Sequence, residues 1–143
     1  MRTYARECVF KFIFARLFNP SDEGLFAVLC KELVQDDQVF AQDLLNAIDN
    51  GLDKYLKSID RLSIGFNLER LHRADKCALL LGMAELENFK ETPVAVVINE
   101  AVNLVAKFST ENSTNFVNGI LAEFAKGIKN GYNYWRQKNC TKR

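Results

Sequence analysis

The chain has 143 residues, enough for one domain that buries its own core without disulfide or metal staples. With 48% hydrophobic and 26% charged residues it has an ordinary globular composition. No apolar run approaches the roughly 20 residues needed to span a bilayer, which excludes a helical membrane protein at the level of sequence.

The net charge of +1 hides an uneven distribution. Residues 1–18 hold Arg2, Arg6, Lys11 and Arg16 against Glu7, giving 4 − 1 = +3, and residues 126–143 hold six bases and no acid. Between 19 and 63 the acids outnumber the bases nine to four. Basic ends of this kind suit an acidic partner such as nucleic acid, or equally a solubilising tail and an ordinary solvated helix face. The four cysteines are far apart with no C-x-x-C pair, and Cys8, Cys30 and Cys77 fall in apolar helical patterns. Buried free thiols in a reducing compartment are the expectation. Arg2, Arg6, Glu7 and Lys11 interrupt the N-terminal apolar residues, so no signal peptide is read and a cytoplasmic protein is expected.

Period-two patterns are hard to find, and the elements predicted in order are all helices. The first covers Thr3–Phe18, with Ala5, Cys8, Val9, Phe12, Ile13 and Leu17 as its buried stripe; Phe10 and Phe14 sit at the flank, as core residues or as rings that stack on an unpaired base. Asn19-Pro20-Ser21 is a turn, and Ser21 is a cap for a helix over Asp22–Val34. A long helix follows from Asp37 to Leu62, which Gly51 weakens without ending. Its acids, Asp43, Asp49, Asp53 and Asp60, have no His or Cys beside them and read as a solvated face. Ser63–Asn67 is a connector, Leu68–His72 a single turn, and the next helix covers Ala74–Phe89. His72 is the sole histidine, so no Ser-His-Asp, Cys-His or two-histidine zinc arrangement can be built.

Pro93–Phe124 organises the rest. Thr92 then Pro93 is a cap-then-proline start. From there Val94, Val97, Ile98, Ala101, Leu104, Val105 and Phe108 recur at helical spacing. Ser109–Ser113 is a polar turn, with Ser113 or Thr114 capping a second helix whose stripe runs Phe116, Val117, Ile120, Leu121 and Phe124. Gly119 in a helix interior costs roughly 0.8–1 kcal/mol relative to Ala, and a close helix contact would explain it. After Phe124 the pattern fades, so residues 1–128 are read as the domain and 129–143 as a basic aromatic tail. Glu85 and Glu100 lie in apolar surroundings, where each needs a helix terminus or a Lys/Arg partner. There is no G-x-G-x-x-G, P-loop, H-E-x-x-H or nucleophile elbow, so no enzyme and no cofactor is expected.

The hairpin also carries a resemblance. Ile98-Asn99-Glu100-Ala101-Val102, Ala106-Lys107-Phe108 and Phe116-Val117-Asn118-Gly119 resemble the signature of the NusB family of bacterial transcription antitermination factors. Ala5-Arg6-Glu7-Cys8 is similar to the head of that family's first helix, and Leu71, Asp75, Leu79, Gly82, Glu85 and Leu86 match a further segment. Leu80 and Ala84 stand where the family usually has arginine and tyrosine, and Thr3 and Tyr4 thin its N-terminal arginine cluster. The resemblance covers about Ala5–Phe124. It implies an all-α, NusB-like bundle of about six to seven helices in two packed sub-bundles.

It also implies binding of the single-stranded boxA element of nascent ribosomal RNA transcripts together with NusE, a small-subunit ribosomal protein, in an antitermination complex on RNA polymerase. Carried over by position, Arg2, Arg6, Phe14, Lys107, Glu111, Asn112 and Phe116 would face RNA, and Asp75, Lys76 and Leu79 would face NusE. Two other readings stay open. One is an interaction module that keeps the fold and has lost RNA binding. The other is the NusB-like head of some ribosomal RNA cytosine methyltransferases, which would make the chain a fragment. Oligomeric state is also open, and the aromatic tail offers a route to a homodimer.

Overall fold

Within residues 73–88 the run 77–84 is apolar without interruption, on every side of two helical turns, a pattern that places an element at the centre of a fold. In the computed structural model, which describes residues 2–20, 24–64 and 71–140 with side chains as far as Ile128, twelve of those 16 residues are buried. This helix is the fifth of seven: α1 Thr3–Arg16, α2 Leu25–Cys30, α3 Gln35–Asn50, α4 Leu52–Ser63, α5 Arg73–Asn88, α6 Val94–Phe108 and α7 Glu111–Cys140. No strand occurs among the described residues. One group joins α1 to α2 and α3, a second joins α7 to α4 and α6, and α5 packs against both. That is the expected all-α architecture of two sub-bundles.

The core is built from the stripes read in the sequence: Val9 and Ile13 of α1, Leu44 and Ile48 of α3, Val97 and Val105 of α6, and Ile120 and Leu121 of α7 are all at most 3% exposed. Leu80 and Ala84 lie in this core too, so apolar side chains suit both positions. α5 and α7 pack closely at Gly82, where a Cβ would stand 2.7 Å from Leu121 Cδ1 of α7.

Four local expectations are corrected. The single helix Asp37–Leu62 is two, α3 and α4, broken at Gly51 (φ −107°, ψ 11°). Tyr55 occupies the space a side chain at position 51 would need, its ring carbon 2.5 Å from the position of a Cβ. The second helix is only Leu25–Cys30 rather than Asp22–Val34, and the proposed Ser21 cap lies outside the described residues. Pro93 itself holds the N-cap position of α6, with no side-chain capping bond, so Thr92 is not the cap. The polar turn is only Ser109–Thr110, because α7 starts at Glu111 and Ser113 is already helical. Most of the Ser63–His72 connector, and the side chains of the aromatic tail on α7, fall outside the described residues.

Candidate nucleic-acid interface

Phe10, Phe14 and Phe18 are spaced by four, which lines them up along one edge of α1 and its C-terminal turn. Phe108 at the end of α6 extends the row. Centroid distances are 5.3 Å from Phe108 to Phe10, 6.2 Å from Phe10 to Phe14 and 5.5 Å from Phe14 to Phe18. The ladder is buried in its middle and opens at both ends: Phe10 is buried and Phe14 half-buried, while Phe108 is 38% exposed and Phe18 61% exposed.

Cations flank it. Lys11 Nζ lies 5.9 Å and Lys107 Nζ 5.3 Å from the Phe108 ring centre, and the Arg73 guanidinium sits 4.7 Å from that of Phe18. Lys11 and Lys107 also share Glu7, at 3.7 and 2.5 Å. Surface pairs of this kind contribute about 0–1 kcal/mol, so a phosphate can compete for either lysine. A groove of about 670 Å³ opens beside the ladder, between Phe14, Phe18, Phe108 and the start of α5.

The α6–α7 turn is held in place from below. Buried Asp75, in the first turn of α5, accepts hydrogen bonds from Ser109 Oγ at 2.7 Å and Ser113 Oγ at 2.8 Å. Thr110 Oγ1 and Ser113 Oγ are 3.0 Å apart. Glu111 and Asn112 are therefore presented to solvent in the first turn of α7 on a fixed base.

A second polar cluster lies on the inner side of α1. Arg6 is 4% exposed, and it donates from Nε to Glu85 Oε1 at 2.7 Å, from Nη2 to Glu85 Oε2 at 2.5 Å and from Nη1 to Glu100 Oε1 at 3.3 Å. Burial alone would lower the Arg6 pKa, but the hydrogen bond to Glu85 and the charges of Glu85 and Glu100 raise it above its ordinary value. Both acids thus find the cationic partner their surroundings demand. The pair ties α1 to α5 and α6.

The expected site residues divide accordingly. Lys107, Glu111 and Asn112 are exposed around the turn, and Phe14 is half-buried in the ladder. Arg2 is exposed but stands apart, its guanidinium 4.5 Å from the Phe40 ring centre. Arg6 and Phe116 are corrections: at 4% and 6% exposure they belong to the ion pair and to the core, and neither faces solvent. Asp75 (3%) and Leu79 (0%) are likewise internal, the first holding the turn and the second packing in the core; only Lys76 of that trio reaches the surface. Sequence reasoning passed over Lys11, Phe18 and Arg73. The four-residue spacing of Phe10, Phe14 and Phe18 was the signal available for the ring.

Comparison with known proteins agrees with this architecture. A family model described as the NusB family matches residues 3–126. The chain belongs to the NusB family. It is 31% identical over 133 residues to the transcription antitermination protein NusB of Natranaerobius thermophilus, covering 89% of this chain and 96% of that one. Its structure is similar to that of T. maritima NusB (TM-score 0.81, 29% identity, 88% and 91% of the two chains). It is also similar to NusB in the crystal structure of antitermination factors NusB and NusE in complex with dsRNA (TM-score 0.76, 26% identity, 88% and 96%). NusB proteins are antitermination factors and not enzymes. Among the described residues no cluster of His, Cys, Asp or Glu could hold a metal ion, and no helix is long and apolar enough to cross a membrane.

Proposed function

We propose that this chain is a cytoplasmic transcription antitermination factor that binds boxA-type single-stranded RNA of nascent ribosomal RNA transcripts, together with NusE, in a complex on RNA polymerase. The observation that carries this reading is the flanked aromatic ladder: rings exposed at both ends of a buried middle, with Lys11 and Lys107 beside Phe108 and Arg73 beside Phe18. Exposed aromatic faces stack on unpaired bases, and the lysines supply charge-assisted contacts to phosphate. Lys107, Glu111 and Asn112 belong to the same face, with Phe14 beneath it. Asn112 adds no negative charge where an acid would repel phosphate. Lys76, half-buried, is the one member of the set assigned to NusE that reaches the surface.

A competing reading, an interaction module without RNA binding, draws support from the burial of Arg6, which removes one cation from the N-terminal face. Titration of a short boxA-type RNA, single-stranded and as a duplex, at several salt concentrations and with or without NusE, separates the two. On the proposed reading the single strand binds, NusE strengthens it, and Lys11→Gln or Lys107→Gln each reduces the salt slope by roughly 0.7. Binding of NusE with no affinity for either RNA would establish the interaction module instead.

A further inference from the structure

We infer that the groove at the end of α1 is a base-sized subsite in which Phe18 stacks an unpaired RNA base and Arg73 holds the adjoining phosphate. This rests on the RNA-binding reading above and adds residues to it. Phe18 lies one turn beyond Phe14 and is 61% exposed, yet it is not a loosely held ring. Its own N–H and that of Asn19 both donate to the Ala15 carbonyl at 3.0 Å, and its ring rests on Phe14 at 5.5 Å. A large apolar ring is thus held in place with much of its surface in water.

Arg73 supports the same conclusion. It is the first residue of α5, where the helix dipole disfavours a cation, so helix stability does not account for it. Among the described residues no carboxylate pairs with it, and its documented contact is the Phe18 ring at 4.7 Å. The guanidinium lies over the ring, and Phe18, still 61% exposed, borders the groove. His72 and Thr110 line the same groove and offer hydrogen-bonding groups for a base edge. A largely exposed ring, a cation against it and polar groups at the rim form an arrangement that binds a stacked nucleotide without strict sequence preference.

The test uses the full chain with NusE and a short single-stranded boxA-type RNA, intact and with an abasic site at each position in turn. Phe18→Leu should weaken binding roughly five- to a hundredfold, while Phe18→Trp retains it. One abasic position that costs affinity in the parent chain should cost nothing further in Phe18→Leu. Arg73→Gln should lower the salt slope by roughly 0.7. Circular dichroism confirms that each variant is folded. If Phe18→Leu binds with the parent affinity and the parent abasic profile, the subsite is refuted and the broader RNA reading survives. Loss of NusE binding with unchanged RNA binding would assign the groove to protein and refute it equally. If the parent chain binds no single strand, the broader reading fails first.

Discussion

Arg6 is the residue on which the sequence and the structure make opposite predictions, and its substitution discriminates between them. Replacing Arg6 with Met keeps the aliphatic stem and removes the guanidinium. Glu85, at 0% exposure, then loses both of its short hydrogen bonds and its counter-charge, while Glu100 keeps the hydroxyl of Thr3 at 2.8 Å. Stranding one member of a buried pair costs roughly 3–5 kcal/mol. For a chain of this length that is a fall in Tm of roughly 10–15 °C. Urea denaturation followed by circular dichroism gives the free energy directly. The double variant Arg6→Met/Glu85→Leu removes both charges and should recover much of the loss, since apolar replacements of a buried pair are often near neutral. The RNA salt slope, measured below the transition, should stay at the parent value. A loss under about 1 kcal/mol accompanied by a flatter salt slope would refute this reasoning and return Arg6 to the RNA face.

Other expectations follow from the same geometry. Asp75→Ala removes the acceptor of two serine hydroxyls and should cost roughly 1.5–3 kcal/mol, with hydrogen exchange accelerated most at residues 109–113. Tyr55 is pushed up to about 12 from 10, first by burial and then by its hydrogen bond to Glu87, so the folded chain holds a proton that the unfolded chain loses between pH 10 and 12. Its contribution is complete below pH 10 and is lost as pH rises through that window, about 1.4 kcal/mol for each pH unit. Tyr55→Phe should flatten this part of the stability–pH curve, and an unchanged curve would refute the assignment. Gly82→Ala gains roughly 1 kcal/mol of helix propensity but forces a methyl to 2.7 Å from Leu121, a cost of roughly 1–3 kcal/mol. It should be neutral to mildly destabilising alone and stabilising beside Leu121→Ala, which chemical denaturation of the four-member cycle would show.

What the sequence reveals follows the range of the interactions concerned. The α6–α7 hairpin and the buried nature of α5 are written in local periodicity, so α5 and α6 are read within a residue or two, while α7 starts earlier and runs further than its apolar stripe. The break at Gly51 is also local, but it depends on where the Tyr55 ring lies, and nothing in a pattern of apolar positions specifies a rotamer. The burial of Arg6 is hidden from the sequence for a different reason. Positions 5, 6, 9, 10, 12 and 13 of α1 are all buried, a stripe wider than the sequence pattern suggests, and it includes an arginine only because Glu85 and Glu100 meet it from 79 and 94 residues away. No window along the chain contains both halves of that interaction.

This division explains why the resemblance carried the architecture more firmly than the site. Arg6, Asp75, Glu85 and Glu100 all lie in the segments that matched the family, and in the structure every one of them ties helices together. Phe14, Phe18 and Lys11, which lie along the proposed RNA face, are outside those segments. Substitutions in the first set should therefore change denaturation and leave the salt slope of RNA binding alone. Substitutions at Lys11 and Phe18 should do the reverse, because those side chains are exposed and little packing is lost with them. A chain in which both sets moved both observables together would mean that the ladder and the buried pair are coupled through α1, whose Arg6 and Phe10 lie one helical turn apart.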